Sequence, residues 1–389
     1  MSIAELPPLV HPAQELTRDE AERYSRHLIL PGFGVTAQLR LKNARVLVIG
    51  AGGLGSPALL YLAAAGIGTL GIVDEDTVEA SNLQRQVIHT AADVGKSKAE
   101  SARAAVLALN PLVEVVLHEE HLDAENVLAI FSGYDLILDG TDNFATRYLV
   151  NDAAEILGKP YVWGSILRFD GQVSVFWGAY GPTYRDLYPE PPEPGAVPSC
   201  AEGGVLGVLC AQIGSVMVNE AIKLITGTGC TLLGRLLVFN SLDMSWREVG
   251  LRPGPERVPV TELIDYQSFC GLTPAAETTA VPSIGVAELA RLLADRRAGR
   301  ADFDLLDVRE PGEHDIVSID GADLVPRAGI LSGSVVPDPL RTVYVHCKSG
   351  GRSAEVTAFL RSRGHEHTYN VSGGVLDWVH EVEPHKPVY

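Results

Sequence analysis

Residues 45–76, RVLVIGAGGLGSPALLYLAAAGIGTLGIVDED, limit the fold more than any other stretch of the chain. Val46 to Ile49 is a short β-branched run, Gly50-Ala51-Gly52-Gly53-Leu54-Gly55 is a glycine-rich turn, and Ser56 to Ala65 is rich in Ala and Leu. That order predicts strand, phosphate loop and helix. Gly50 permits the tight turn, Gly52 lets backbone approach a phosphate, and Gly55 lets the helix sit close to the strand. The helix N-terminus then offers free N–H groups to an anion. A second apolar run, Thr69 to Val73, ends at Asp74, whose carboxylate is placed to take a ribose hydroxyl. A unit of this kind belongs to an α/β fold and points to a nucleotide ligand.

At 389 residues the chain is too long for one core of ordinary size, so two or three domains are expected. A net charge of −18 argues against an electrostatic nucleic-acid or anionic-membrane surface. The five cysteines, Cys200, Cys210, Cys230, Cys270 and Cys347, are odd in number and show no close pairing. A disulfide framework is not expected, which suggests a reducing cytoplasm. The N-terminus has early acids and prolines and no apolar core of a signal peptide. The longest uncharged run, Gly203 to Val218, contains Gln212 and is short for a membrane span.

Residues 1–16 read as a loose arm, followed by Thr17-Arg18-Asp19-Glu20, a capping box that opens a helix through EAERYSRHLIL. Arg23 and Arg26 fall three apart on one face of that helix, which by spacing alone is a solvated basic face. Downstream of the glycine loop come SNLQRQ, with Asn82 and Arg85, and GKSK, with Lys98. Arg85 and Lys98 are candidates to neutralise a polyphosphate, with ordinary surface cations as the alternative. A strand over Asp135 to Leu138 leads into Asp139-Gly140-Thr141-Asp142-Asn143. Acids at the carboxyl end of a parallel strand lie where such sheets bind ligands, so Asp142 is a candidate Mg²⁺ ligand and also a candidate N-cap of the following helix, two roles that are compatible. From Tyr161 short β segments predict that the sheet ends in antiparallel strands. The stretch 181–200, with six prolines from Pro182 to Pro198, reads as a functional crossover loop without helix or inner strand. Cys200 at its end is either a buried inert thiol or an activated one. Gly207 to Ile225 reads as a buried helix, and residues 251–282 as an interdomain linker that partly packs on the first domain.

A second, smaller α/β domain is expected over residues 283–389. Its sharp feature is Val345-His346-Cys347-Lys348-Ser349-Gly350-Gly351-Arg352-Ser353, where a strand ends at a cysteine and a glycine-bearing loop enters a helix. Converging N–H groups and the helix dipole would favour a thiolate there, making Cys347 a nucleophile. Four residues separate Cys347 from Arg352, one fewer than in the cysteine-phosphatase loop that wraps a phosphate dianion. The smaller ring suits a persulfide, whose outer sulfur moves by thiol exchange.

Taken together, RYSRHLIL, GAGGLG, SNLQRQ, GKSK, GTDN, SCAEGGVLG, LLDVREPGEHD and HCKSGGRS resemble the adenylyltransferase–sulfurtransferases of molybdopterin and thiamin biosynthesis. These are ThiF/MoeB-type relatives of ubiquitin-activating enzymes with a C-terminal rhodanese domain. The resemblance implies a Rossmann-like mixed-sheet activating domain over residues 1–250 and a rhodanese domain over 283–389. It implies ATP bound by the turn of Gly50, Gly52, Gly53 and Gly55, with Asp74 on the ribose, Asn82, Arg85 and Lys98 on the triphosphate, Asp142 with Asn143 at the phosphates, and Mg²⁺ on Asp142. Arg26 matches an arginine finger that reaches the other subunit's site, which implies a homodimer. Cys200 matches a crossover-loop cysteine, and Cys347 with Arg352 the persulfide loop. The partners implied are a ubiquitin-like sulfur carrier protein ending in Gly-Gly and a persulfide or thiosulfate donor. Relatives often bind zinc through two Cys-x-x-Cys pairs. Here Thr183 and Asp186 stand at the first pair, and only Cys270, with Gln267 at its partner position, remains of the second, so no structural zinc is expected. A nicotinamide-dependent dehydrogenase with a rhodanese-like regulatory domain, or a carrier-binding scaffold with degenerate sites, are the rival readings.

Overall fold

The computed structural model describes residues 6–192, 203–271 and 281–389. The chain divides into two compact units between Thr273 and Pro274. Eight strands build the sheet of the first: β1 Arg45–Ile49, β2 Thr69–Val73, β3 Glu114–His118, β4 Leu136–Asp139, β5 Tyr161–Leu167, β6 Asp170–Phe176, β7 Arg235–Asn240 and β8 Ser245–Gly250. Their order is β3-β2-β1-β4-β5-β6-β7-β8. The strands from β3 to β5 pair in parallel and those from β5 to β8 antiparallel, as the change of pattern at Tyr161 predicts. Because β1 is flanked on both sides, Val46 to Ile49 are all buried, and the β-branched run is what a strand covered on both faces requires.

Helix Gly55–Ala65 lies against helix Gly207–Thr226, whose Leu209, Ile213, Met217, Ala221 and Leu224 enter the same core. Gly214 makes this approach possible, since a Cβ there would stand 2.6 Å from Pro57, and Gly171 in β6 lets the same helix sit on the sheet, a Cβ there falling 2.4 Å from Ile213. Helix Gly207–Thr226 is long and apolar enough to cross a membrane by length and composition, but these side chains are buried within the unit.

Three expectations are corrected. The arm 1–16 is not loose where it is described: Val10 is buried, Leu6 and Leu9 pack on the core, and the Leu9 N–H donates to Leu224 O at 3.0 Å. Apolar residues among prolines here cover the end of a helix. The helix opened by the Thr17–Glu20 capping box stops at Arg23 and a second turn runs Ser25–Leu28, so Arg23 and Arg26 do not share one helix. Tyr24 causes the break, being drawn into the core where its hydroxyl accepts from Asn110 Nδ2 at 2.9 Å. Within the proline-rich stretch, Tyr184–Leu187 forms one helical turn, because Thr183 and Asp186 cap it and the prolines flank it.

Asp186 also accepts from Gly254 N at 2.7 Å and from Arg257 Nη1 at 3.3 Å, and Arg185 donates two bonds to buried Asp152 at 2.8 and 2.7 Å. Tyr266 donates to the same Asp152 at 2.8 Å, and Cys270 is buried beside it in the core. Residues 254–271 are thus tied to the first unit by the ion pairs of Arg257 and by two aromatic anchors, Tyr266 and Phe269.

The second unit has five parallel strands, β9 Ser283–Ile284, β10 Asp304–Asp307, β11 Asp323–Leu324, β12 Val343–His346 and β13 Thr368–Val371, in the order β11-β10-β12-β13-β9. Its core is separate, built on one face from Leu289, Leu293 and Trp378 and on the other from Val345, Val356 and Leu360. β12 is central and ends at His346, which sets Cys347 at the carboxyl edge of the sheet.

Candidate active sites

In the first unit the chain leaves β1 at Gly50 with φ +87° and enters the helix at Gly55, where a Cβ would lie 1.7 Å from the Gly50 carbonyl oxygen. Only glycine closes this turn. Ala51 is held at both ends of its peptide unit: its N–H donates to Asp74 Oδ2 at 2.7 Å, and its carbonyl lies 3.2 Å from His89 Nε2. Asp74 takes a further bond from Asp76 N at 3.0 Å, and burial pushes its carboxyl above the usual carboxylate range.

The turn opens on a cavity of about 400 Å³ at the carboxyl edge of β1, β2 and β4. Gly50, Gly52, Gly53, Asp74, Asn82, Arg85, Lys98, Asp142 and Asn143 all line it. Gly55 does not; its part is the close packing just described. Lys98, almost fully buried, reaches Asp76 Oδ2 at 2.8 Å, and Arg85 Nη1 donates to Ser81 O at 3.2 Å. Asn82 is buried and accepts from Glu79 N at 3.2 Å.

Asp142 is exposed at the cavity wall and is not the N-cap of helix Phe144–Ile156; Asn143 is, accepting from Thr146 N at 2.8 Å. The cap position needs an extended backbone one residue before the helix, and the chain reaches it at Asn143. Below them Asp139 is fully buried, one oxygen bonded to Thr141 and the other without a partner among the described residues; burial raises its pKa.

Arg147, Gln86 and Asp76 also line the cavity, and sequence reasoning missed them. Arg147 donates to Thr141 O and to Ser165 Oγ at 3.1 Å and stacks over Phe144 and Trp163, so its cationic edge is fixed against the GTDN loop. The signal available was its place one helical turn beyond Asn143. Arg26 is exposed and lies outside the cavity lining. Among the described residues no three His, Cys, Asp or Glu side chains gather as a metal site.

In the second unit Cys347 is 1% exposed, and its sulfur accepts from Gly350 N at 3.1 Å. Gly350 has φ +100° and turns the chain into helix Gly351–Ser362. The Ser353 hydroxyl is 3.4 Å from the sulfur and donates to Asn370 Oδ1 at 2.7 Å. The N-terminus of helix Gly374–Glu381 closes the loop from behind, Val375 N donating to Cys347 O at 2.9 Å and Leu376 N to Lys348 O at 3.1 Å. Arg352 makes a two-pronged ion pair with Glu313, at 2.8 and 2.7 Å. Burial pushes the Glu313 carboxyl up, but hydrogen bonds from Arg352 and its neighbours outweigh it and hold the group ionised below its ordinary range. Under the loop lies a fully buried pair, Asp307 with Arg309, and His346 with its Nε2 3.9 Å from Asp307 Oδ2. Cys200 lies outside the described residues.

A nucleotide-type turn with cations around its cleft, and a separate parallel-sheet unit presenting a thiol in a backbone loop, define a two-domain enzyme of nucleotidyl and sulfur transfer. The chain belongs to the ThiF family, which matches residues 24–260, and carries a rhodanese-like domain over residues 286–381. It is 57% identical over 391 residues to the probable adenylyltransferase/sulfurtransferase MoeZ of Mycobacterium tuberculosis, covering 99% of each chain. It is 42% identical to the adenylyltransferase and sulfurtransferase MOCS3 of Drosophila grimshawi, over 97% of this chain and 88% of the relative. It is also 53% identical to a sulfur carrier protein adenylyltransferase of Thermus thermophilus, over 66% of this chain and 98% of that one. The first unit shares its fold with E. coli MccB solved with ATP, at a TM-score of 0.53 and 20% identity over 63% of this chain and 75% of that one. The chain is therefore an adenylyltransferase and sulfurtransferase, which sets aside the dehydrogenase and scaffold readings.

Proposed function

We propose that the first unit uses ATP to adenylate the C-terminal glycine carboxylate of a ubiquitin-like sulfur carrier protein, and that a persulfide on Cys347 then converts the adenylate to a thiocarboxylate. The observation that carries this reading is the convergence of the glycine turn, Asn82, Arg85, Lys98 and Asp142 on one cavity. A carboxylate is a poor electrophile. Its oxygen attacks the α-phosphorus of ATP, the α–β bridge breaks, and pyrophosphate leaves with the electron pair. Arg85 and Lys98 offset the charge growing on the leaving phosphates, and N–H groups of the turn hold the triphosphate. Asp74 orients the ribose. Asp142, an exposed hard oxygen donor at the cavity wall, suits Mg²⁺, which keeps waters and shares its shell with substrate phosphates; it would supply charge neutralisation there.

In the second step the outer sulfur of the Cys347 persulfide attacks the acyl carbon and AMP departs. The Cys200 thiolate cleaves the resulting acyl disulfide at the Cys347 sulfur, releasing the thiocarboxylate. The Cys200–Cys347 disulfide so formed is returned to two thiols by a cellular dithiol, in keeping with a reducing cytoplasm. Arg26 belongs to the neighbouring subunit's site in a homodimer. The exposed Ile29, Leu30 and Val35 close to it in sequence support such an interface. A structural zinc has no part in this reading: Asp186 is occupied by Thr183 and Arg257, and Cys270 is a single buried thiol.

The test is carrier-dependent exchange of labelled pyrophosphate into ATP, with a carrier ending in Gly-Gly. Lys98→Ala should abolish exchange, and Cys347→Ala should keep it while losing sulfur transfer from thiosulfate. Absence of exchange in the unaltered protein, or loss of both activities in Cys347→Ala, overturns the scheme. The mass shift of a thiocarboxylated carrier trapped from cell extract identifies the pathway served, whether molybdopterin, thiamin or another sulfur product.

A further inference from the structure

Tyr389 lies far from Cys347 in sequence, and no motif points to it. In the fold its half-buried side chain is seated between the two ends of the Cys347 loop. The hydroxyl donates to Glu313 Oε1 at 2.8 Å, the same oxygen that accepts Arg352 Nη2 at 2.7 Å. The hydroxyl in turn accepts from Arg309 Nη1 at 2.8 Å, and Arg309 is fully buried against Asp307. The ring of Tyr389 faces the other end of the loop, with Lys348 Nζ 4.6 Å from its centroid. Burial raises the phenol's pKa, so it stays an O–H donor toward Glu313. One side chain therefore touches the support of Arg352 through its hydroxyl and Lys348 through its ring.

We propose that Tyr389 is a positioning residue for sulfur loading, holding Lys348 and Arg352, at the two ends of the Cys347 loop, at a fixed spacing so that both cations meet an anionic sulfur donor. This rests on Cys347 being the residue that carries the persulfide. Two long cations left to themselves sample many rotamers, and ordering them during binding costs affinity. Glu313 fixes Arg352 in direction, Tyr389 and Arg309 fix Glu313, and the ring restrains Lys348. In loading from thiosulfate, the Cys347 thiolate attacks the outer sulfur, the S–S bond breaks, and sulfite leaves with the electron pair. In unloading to cyanide, cyanide attacks the outer sulfur of the persulfide and the Cys347 thiolate is regenerated. A dianion is bound in the first half-reaction only, so the positioned cations matter most there.

The experiment measures kcat/KM for thiosulfate and for cyanide separately in the full-length protein, which the two-step exchange allows. Tyr389→Phe keeps the ring and loses the hydroxyl; Tyr389→Ala loses both. For thiosulfate, Tyr389→Phe should lower kcat/KM about tenfold, the usual effect of losing a hydrogen bond to a charged group, and Tyr389→Ala should lower it further. For cyanide, both variants should stay within about twofold of the unaltered protein, because no anion of that charge is bound. Equal falls in the two half-reactions would mean that Tyr389 only supports the fold, and no fall in either would mean that it has no part in loading; each overturns the proposal. Cys347→Ala separates the premise from the proposal, since sulfur transfer surviving in that variant overturns the assignment of Cys347 itself.

Discussion

At the scale of single residues, the nucleotide turn depends on an absence of atoms. A methyl group at position 55 would sit 1.7 Å from the Gly50 carbonyl oxygen and 2.8 Å from its carbon, backbone atoms that cannot rotate away. Gly55→Ala must then push the helix off β1 or open the turn, at a cost of about 3 kcal/mol or more, beyond ordinary overpacking. The expected outcome is a lower melting temperature together with loss of the thermal shift on adding ATP. A variant that melts and binds ATP like the original would contradict the geometry. Asp142 and Asn143 show how fine the reading of a sequence must be at this scale. Both are good helix caps, and the extended backbone at Asn143 makes it the cap while Asp142 stays exposed at the cavity wall.

Among elements, the strands, the turn and the helices around it were legible because each is encoded by neighbours in sequence. The glycine spacing and the β-branched run of β1 are local patterns, and so is the capping box at Thr17. The break at Tyr24 was not legible, since helical periodicity continues across it and the cause, Asn110, lies 86 residues away. Arg147 enters the cavity for reasons that belong to Ser165 and Trp163 on β5. The Glu313–Arg352 pair spans 39 residues, and Tyr389 meets Glu313 across 76. The same long-range logic governs residues 254–271. Asp152, 1% exposed, has Arg185 as its charge partner and takes further hydrogen bonds from Tyr266 and Asn151. Arg185→Ala removes the charge partner of a buried carboxylate and should cost about 3 kcal/mol, read as a lower urea midpoint. Adding Asp152→Asn to that variant should recover part of the loss, and an unchanged midpoint in Arg185→Ala alone would refute the role given to the pair.

For the molecule as a whole, the rhodanese unit carries a built-in sensitivity to acid. Burial depresses the pKa of His346 from 6.5 to about 4, with Asp307 opposing and Arg309 assisting the shift. Unfolded, this ring takes a proton near pH 6.5, while folded it does so only near 4. The unfolded state therefore holds more protons between those values, and stability falls as pH falls through that window, by about 3 kcal/mol. Asp307 acts in the same direction at lower pH. Burial pushes its carboxyl up, but Arg309, His346 and His314 outweigh it and bring it down to about 2, so its contribution is lost between about 4 and 2. Hydrogen exchange in β12 and β13, corrected for the chemical rate at each pH, should show lower protection at pH 5 than at pH 7, and His346→Gln should flatten the difference. Equal protection in the unaltered protein would rule the mechanism out. The burial of the Cys347 sulfur has a further consequence, for traffic at the site. With the thiol 1% exposed, a donor must be slender to reach it, and in the proposed scheme a persulfide places the reactive sulfur one S–S bond beyond that thiol, where a larger acceptor would meet it. Size would then sort the partners of the two steps, small molecules for loading and a macromolecule for unloading, while the free energies of donor and acceptor drive the flow.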